Sequence, residues 1–228
     1  MPFLDRSNGA PEGAALRPAD GRRPVRGARA AVLLLHGGRV DALEPPAALN
    51  LPALRMKPFA TRIQRAVARE DVFVGHVRYQ HRGWNGHHAH PVADARRALS
   101  ELYEVAGPVP VVLVGHSMGA RAALRAAVDP QVKGVVALAP WCPPGESAAH
   151  LGGRTVVALH DESDRVTRAG DTWAYLSRAR DAGARTHGFR MPHGGHTMIR
   201  GARQWQRLAA EATAGLLGLA PLPIPPAE

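Results

Sequence analysis

The stretch Gly115-His116-Ser117-Met118-Gly119 decides the fold of this chain. An apolar run, Val111-Val112-Leu113-Val114, precedes it and an alanine-rich segment, 120–127, follows it. A buried strand therefore enters a G-x-S-x-G turn, and a helix leaves it. In such a turn the central serine sits in strained backbone with its side chain pointing out, and the flanking positions need small residues. This context predicts Ser117 as a nucleophile.

Apolar runs alternate with helical periodicity on both sides of this turn. The alternation predicts an α/β fold, with a mostly parallel sheet of about six strands and helices on both faces. In such a sheet the carboxyl ends of the strands lie on one edge, where ligands bind. We predict strands at 30–35, 72–77, 109–114, 133–139, 155–159 and 185–189, and helices at 54–68, 92–103, from Met118, at 168–182 and at 198–217.

The ends of the chain differ in composition from its middle. Residues 1–29 are rich in Pro, Gly and Arg, which predicts a flexible N-terminal arm with one short edge strand near 14–17. Residues 219–228 are rich in proline and are predicted to form a tail along the surface. Residues 30–218 are therefore expected to form the folded domain, and 228 residues suit a single one.

The composition bounds the location and the partners of the protein. The formal net charge is +10, but the basic residues are spread over the chain, which argues against a nucleic-acid surface and leaves weak attraction to anionic surfaces open. No apolar run reaches the roughly 18 residues of a membrane span, so we expect no membrane insertion. One cysteine, no disulfide and no apolar leader favour the cytoplasm.

Chemistry-bearing residues follow four of the predicted strands. They are His36-Gly37-Gly38-Arg39, then Ser117, then His160-Asp161-Glu162-Ser163-Asp164-Arg165-Val166, and last Pro192-His193-Gly194-Gly195-His196. This order resembles the α/β-hydrolase family, whose nucleophile, acid and base follow one another in the same sequence. Lidless serine esterases, dienelactone-hydrolase-like and serine-aminopeptidase-like members are the nearest in pattern.

The resemblance implies a role for each of these residues. Ser117 would attack an acyl carbon, a histidine would take its proton and a carboxylate would orient that histidine. We assign the base to His196, with His193 as its rival. Asp164 matches the acid of the family pattern His-Gly-x-x-Asp, and Asp161, which replaces the glycine, is the alternative acid.

Two backbone N–H groups are needed to stabilise the oxyanion of the tetrahedral intermediate. The resemblance assigns them to Met118, which follows the nucleophile, and to Gly38, with Arg39 as the alternative. Segment 141–154 is too short for a lid of several helices, so we expect no substantial lid domain. Trp141 and Trp84 are predicted pocket residues, although Trp84 could equally be a packing residue, and Cys142 is expected to be a free thiol near the site.

A histidine-rich segment, 81–90, raises the question of a metal. No cysteine or acid lies among its histidines, so we predict a loop near the active-site mouth and no metal. The leading hypothesis is a serine hydrolase that cleaves a carboxylic ester of a small-molecule acyl substrate without a cofactor. The alternatives are an acyl-thioesterase, for which the basic surface would dock an acidic carrier protein, and a hydrolase-like binding protein that does not catalyse.

Overall fold

The computed structural model describes residues 13–21, 26–47 and 49–225. Within them a seven-stranded sheet has the order β1-β3-β2-β4-β5-β6-β7. Strands β2 to β7 run parallel, and β1 pairs with the edge of β3 in the antiparallel direction. The strands are β1 (Leu16–Pro18), β2 (Ala30–Leu35), β3 (Val72–Val77), β4 (Val111–His116), β5 (Val132–Leu138), β6 (Thr155–Asp161) and β7 (Arg185–Met191).

Helices cover both faces of this sheet. Helices α1 and α5 pack against each other over one face, whereas α2, α3 and α4 contribute to the apolar core on the other. The predicted α/β architecture with a mostly parallel sheet is therefore confirmed. The helices are α1 (Leu51–Ala66), α2 (His90–Ala106), α3 (Met118–Ala126), α4 (Ala169–Asp181) and α5 (Ala202–Leu216).

The central strands form a rigid platform because both of their faces are covered. Every residue of β2, β4 and β6 is buried, which explains why these strands have continuous apolar runs instead of alternation. Full burial of each valine or leucine side chain contributes about 1.5–3 kcal/mol to folding. The loops at the carboxyl edge therefore start from fixed positions.

The ends of the chain partly lie outside the described residues. Residues 1–12, 22–25 and 226–228 of the predicted arm and tail belong to that part. The short edge strand is present as β1, beside β3. In the tail, Leu222 is partly buried and packs on the core cluster that includes α5.

Helix α5 begins at Ala202, so the predicted start at Met198 was wrong. Met198 and Gly201 both have positive φ angles, of 58° and 71°, and a right-handed helix cannot pass through such residues. A 3-10 turn at Gly195–Thr197 precedes them. The apolar periodicity of this segment therefore extended beyond the helix itself.

The connection between β5 and β6 contains no lid domain. Residues 139–154 hold a single 3-10 turn, Ala149–Leu151. This connection therefore adds no helical layer above the carboxyl edge of the sheet. Among the described residues, no helix is long and apolar enough to cross a membrane.

Candidate active site

Ser117 occupies the sharp turn between β4 and α3. Its backbone angles, φ 54° and ψ −119°, lie in a strained region for a residue with a side chain. Gly115 and Gly119, two residues before and after Ser117, leave no room for a side chain. A Cβ atom at Gly115 would lie 2.5 Å from the Ala120 Cα, and one at Gly119 would lie 2.4 Å from the His36 carbonyl oxygen. The turn therefore holds Ser117 at the end of the strand and the start of the helix.

Of the two candidate bases, His196 is the one that contacts Asp164. Its Nδ1 lies 2.9 Å from Oδ2 of Asp164, whose side chain is fully buried. His193 precedes it on the same loop and is exposed. An Nδ1–H that donates to a carboxylate leaves Nε2 free to accept a proton, which is the tautomer that a general base requires.

The Asp164 carboxylate is held by several donors. Backbone N–H groups of Val166 and Thr167 donate to Oδ1 at 2.7 Å and 3.1 Å. On Oδ2, His160 Nε2 lies 3.1 Å away and Thr167 Oγ1 lies 2.9 Å away. Burial alone would raise the pKa of Asp164, but the hydrogen bonds from His160, His196 and the two N–H groups outweigh it and hold that pKa well below its usual range. Asp164 therefore remains a carboxylate.

The loop that carries His196 is fixed by side chains from three different elements. Asp161 Oδ2, at the end of β6, accepts a hydrogen bond from the Gly195 N–H at 2.7 Å. His116 Nε2, at the end of β4, donates to the His196 carbonyl oxygen at 2.9 Å. Trp205 Nε1, on α5, donates to the His193 carbonyl oxygen at 2.7 Å. The backbone of the candidate base is thus held before its imidazole does any chemistry.

Asp161 acts on this loop through the backbone and does not contact the His196 ring. Its Oδ1 accepts hydrogen bonds from both the N–H and the hydroxyl of Ser163, each at 2.8 Å. Burial by itself would raise the pKa of Asp161. The hydrogen bonds from Gly195 and Ser163 have the larger effect together, so the pKa of Asp161 lies below its ordinary value. One carboxylate therefore joins the acid loop to the base loop.

The side chain of Ser117 makes no hydrogen bond to His196 in the described chain. Ser117 directly follows His116, whose ring centroid lies 4.9 Å from that of His196. Its backbone is tied to the next strand, since Ser117 N–H donates to the Leu138 carbonyl at 3.0 Å. The candidate acid and base are thus joined directly, and the candidate nucleophile adjoins a residue that contacts the base.

Two backbone N–H groups near Ser117 have no acceptor among the described residues. They belong to Gly38 and Met118, the residues that the sequence assigned to the oxyanion. The Arg39 N–H, the alternative donor, is already bonded to the Arg82 carbonyl at 3.0 Å. A Cβ atom at Gly38 would lie 2.4 Å from the Arg82 carbonyl oxygen, a backbone atom that cannot move aside, so Gly38 needs to be glycine.

The two predicted pocket tryptophans lie against the guanidinium group of Arg121. Its carbon is 3.9 Å from the ring centroid of Trp84 and 4.4 Å from that of Trp141. Glu146, which is buried, accepts hydrogen bonds from Arg121 and Arg125. Trp84 is only 2% exposed, so it has little surface to offer a ligand, whereas Trp141 is partly exposed.

The remaining candidates of the sequence carry no catalytic arrangement. Burial, with Glu146 nearby, raises the pKa of Cys142 to about 12, so this thiol is a poor nucleophile. In the histidine-rich loop, the ring of His90 stacks on that of His88 at 5.3 Å between centroids and meets the tilted ring of His81 at 4.3 Å. No three of the described His, Cys, Asp and Glu side chains form a group that could bind a metal ion.

A cavity of about 930 Å³ lies at the opposite edge of the sheet. It is lined by the beginning of β3, by the last turns of α1 and by residues on both sides of segment 22–25, which lies outside the described residues. The catalytic candidates are at the carboxyl ends of the strands, so this cavity is separate from them.

Comparison with known families agrees with this geometry. The model of the alpha/beta hydrolase family matches residues 14–227. The chain is an α/β-hydrolase. No curated protein sequence matches it.

Several solved structures share the fold of this α/β-hydrolase. A protein of unknown function from Agrobacterium tumefaciens superimposes with a TM-score of 0.68 at 15% identity, covering 91% of this chain and 94% of that one. An alpha/beta serine hydrolase without a lid from Xanthomonas campestris gives 0.59 at 16% identity, with 89% and 87% covered. An esterase/lipase from an uncultured bacterium gives 0.63 at 17% identity, with 86% and 80% covered. At these identities the likeness concerns the fold.

Sequence reasoning missed several residues that shape this α/β-hydrolase site. His116 and Thr167 contact the base and acid loops and had no signal, whereas Asp161, named from the sequence as the alternative acid, bonds to the backbone of the base loop instead. Arg121 and Glu146 anchor the segment after β5. Their contact spans 25 residues of sequence and has no local pattern that could have revealed it.

Proposed function

We propose that this α/β-hydrolase is a serine hydrolase that cleaves a carboxylic ester, or a related acyl bond, through an acyl-enzyme. The observation that carries the proposal is the hydrogen bond between Asp164 and His196 beside the strained turn of Ser117. A hydroxyl is a weak nucleophile at neutral pH, and an imidazole oriented by a carboxylate is the group that activates it.

In the proposed first half-reaction Ser117 Oγ attacks the acyl carbon while Nε2 of His196 takes the hydroxyl proton. The negative charge moves to the former carbonyl oxygen, where the N–H groups of Gly38 and Met118 donate to it. Each such donor lowers the barrier by about 3–4 kcal/mol. His196 then returns the proton to the leaving alcohol as the bond between carbon and alcohol oxygen breaks.

The second half-reaction repeats these steps with water. His196 takes a proton from a water molecule as its oxygen attacks the acyl carbon, and then protonates Ser117 Oγ as the acid departs. Asp164 stays ionised and stabilises the imidazolium in both halves. The hydrogen bond from Ser117 Oγ to His196 forms when substrate is bound, as this bond is often long in free enzymes.

A fluorophosphonate probe tests the proposal directly, because an activated serine displaces its fluoride and becomes phosphonylated. We expect one equivalent of label on the peptide that contains Ser117, and none in Ser117→Ala. Hydrolysis of p-nitrophenyl esters of graded chain length, compared with acyl-thioesters, then defines the acyl donor. A wild-type protein that is folded but neither labelled nor active on any of these compounds would show that the site binds without catalysing.

A further inference from the structure

Exposed aliphatic side chains are concentrated at the carboxyl edge of the sheet. Leu43 is 64% exposed, Leu51 68%, Val166 71% and Ile199 70%, and Val40 is also exposed. They belong to the loops that follow β2, β6 and β7 and to the start of α1. We call these five residues the apolar rim. Away from this edge and from the C-terminal segment beyond α5, the described chain exposes two such side chains, Val105 and Val128.

The loops of the apolar rim converge on the catalytic candidates. The N–H of Val166 donates to Asp164 Oδ1 at 2.7 Å, and Ile199 follows closely after His196 in the chain. Asn50 directly precedes Leu51, and its side-chain nitrogen lies 3.3 Å from Nε2 of His36. His36 begins the loop that also carries Val40 and Leu43. The rim residues therefore lie on the loops that carry or adjoin the catalytic candidates.

Exposed arginines alternate with the rim. Arg39, Arg165 and Arg200 are direct chain neighbours of Val40, Val166 and Ile199, and Arg168 lies close by. None of these four forms an ion pair within the described residues. The carboxylates of Asp41 and Asp171, at the same edge, likewise have no cationic partner there. The edge thus has an excess of cations beside its aliphatic groups.

This combination suits the surface of a bilayer that contains anionic phospholipids. Aliphatic side chains enter the boundary between headgroups and acyl chains, while arginines bind the phosphates and are attracted by the surface potential. A second copy of the same face would bring the arginines against one another, which argues against self-association. We propose that the apolar rim and its arginines dock this protein on an anionic phospholipid surface, with the loops that carry Asp164 and His196 toward the lipid.

Binding to vesicles tests this surface without depending on catalysis. The full chain carrying Ser117→Ala is sedimented with vesicles of phosphatidylcholine, with and without phosphatidylglycerol. We expect co-sedimentation only with phosphatidylglycerol. Replacing Val40, Val166 and Ile199 together by serine weakens partitioning about tenfold or more, and replacing Arg39, Arg165 and Arg200 by glutamine has a similar effect.

The matched control is Val105→Ser with Val128→Ser, which removes two exposed valines from the opposite edge and is expected to leave partitioning unchanged. Circular dichroism melting verifies that each variant is folded. The proposal fails if the parent does not bind phosphatidylglycerol vesicles, or if the control weakens binding as much as the rim variant. It also fails if the rim variant binds vesicles normally but loses a dimer or an acidic protein partner. Because the protein in this assay is inactive, a negative result leaves the proposed reaction standing.

Discussion

His116 donates a hydrogen bond from Nε2 to the carbonyl oxygen of His196, at 2.9 Å. The residue that precedes the nucleophile thus holds the backbone of the candidate base, across 80 residues of sequence. Since the acceptor is a carbonyl, Nε2 carries a proton. Nδ1 is buried without a partner in the described chain, so a second proton there would place an unpaired charge in the core. The ring is therefore neutral in the folded protein.

This neutrality gives His116 an effect on stability in acid. Burial is the main cause that lowers the pKa of His116 to about 3, and the charge of the nearby His196 is the second. A histidine in the unfolded chain titrates near 6.5. The unfolded chain therefore binds the proton first, so stability is intact above pH 6.5 and is lost as pH falls toward 3. The slope is about 1.4 kcal/mol per pH unit. Urea unfolding of His116→Gln at several pH values is expected to lack this part of the slope, while His193→Gln, at an exposed position, keeps it.

The choice of base can be tested by two alanine variants of one loop. His196→Ala is expected to reduce kcat/KM for an ester substrate by roughly 10⁴-fold or more, because the proton acceptor is lost. His193→Ala, whose side chain is exposed, changes it little. Initial rates with a p-nitrophenyl ester provide the measurement, and the reverse ranking would transfer the role of base to His193.

Asp161 is expected to act as a positioning residue. Asp161→Gly removes the acceptor of the Gly195 N–H, and we expect kcat/KM to fall about tenfold or more because the base loop loses one of its three supports. Asp161→Asn, whose amide oxygen can still accept that bond, recovers most of the activity. Faster hydrogen exchange at the Gly195 amide in the glycine variant is the readout that does not depend on activity. Equal activity of both variants and of a Glu162→Gln control would exclude the role.

Cys142 is expected to be chemically silent in the folded protein. With a pKa of about 12 and 4% exposure, the thiol stays protonated and covered at pH 8. Iodoacetamide therefore modifies it only after unfolding, as mass spectrometry of native and urea-treated samples can show. Cys142→Ala is expected to leave ester hydrolysis within about twofold of wild type. Rapid native alkylation with loss of activity would contradict both statements.

The glycines offer a test of the elbow geometry. Gly119→Ala forces a Cβ atom to within 2.4 Å of the His36 and Leu35 carbonyl oxygens, which are backbone atoms that cannot move aside, so we expect insoluble or strongly destabilised protein. Gly170→Ala is the matched control, because nothing lies within 4 Å of its Cβ position in α4. It is expected to stabilise the protein by about 0.5–1 kcal/mol. Thermal melting compares the two variants.

The sequence predicted the elements of the sheet and the elbow because these depend on local patterns. Ser117 is surrounded by an apolar strand, two glycines and a helix within a dozen residues. The choice of Asp164 and His196 over their neighbours came from a resemblance, and the geometry now favours the same pair. Their roles in catalysis remain predictions until the labelling and rate measurements are made.

Other features of the site could not be predicted from the sequence because they depend on contacts between distant segments. The hydrogen bond from the Gly195 N–H to Asp161 joins residues 34 positions apart, and the packing of Arg121 between Trp84 and Trp141 joins three separate loops and helices. The start of α5 was misjudged for a different reason. Apolar spacing continued through Met198, but the positive φ of that residue follows from how the loop is held.

The short connection after β5 has a kinetic consequence. Glu146 forms ion pairs with Arg121 and Arg125 of α3 and so fixes this connection against the helix, and we expect access to the site to need no movement of a lid domain. Substrate entry and product departure are then diffusional events, and solvent viscosity has little influence on a turnover limited by chemistry.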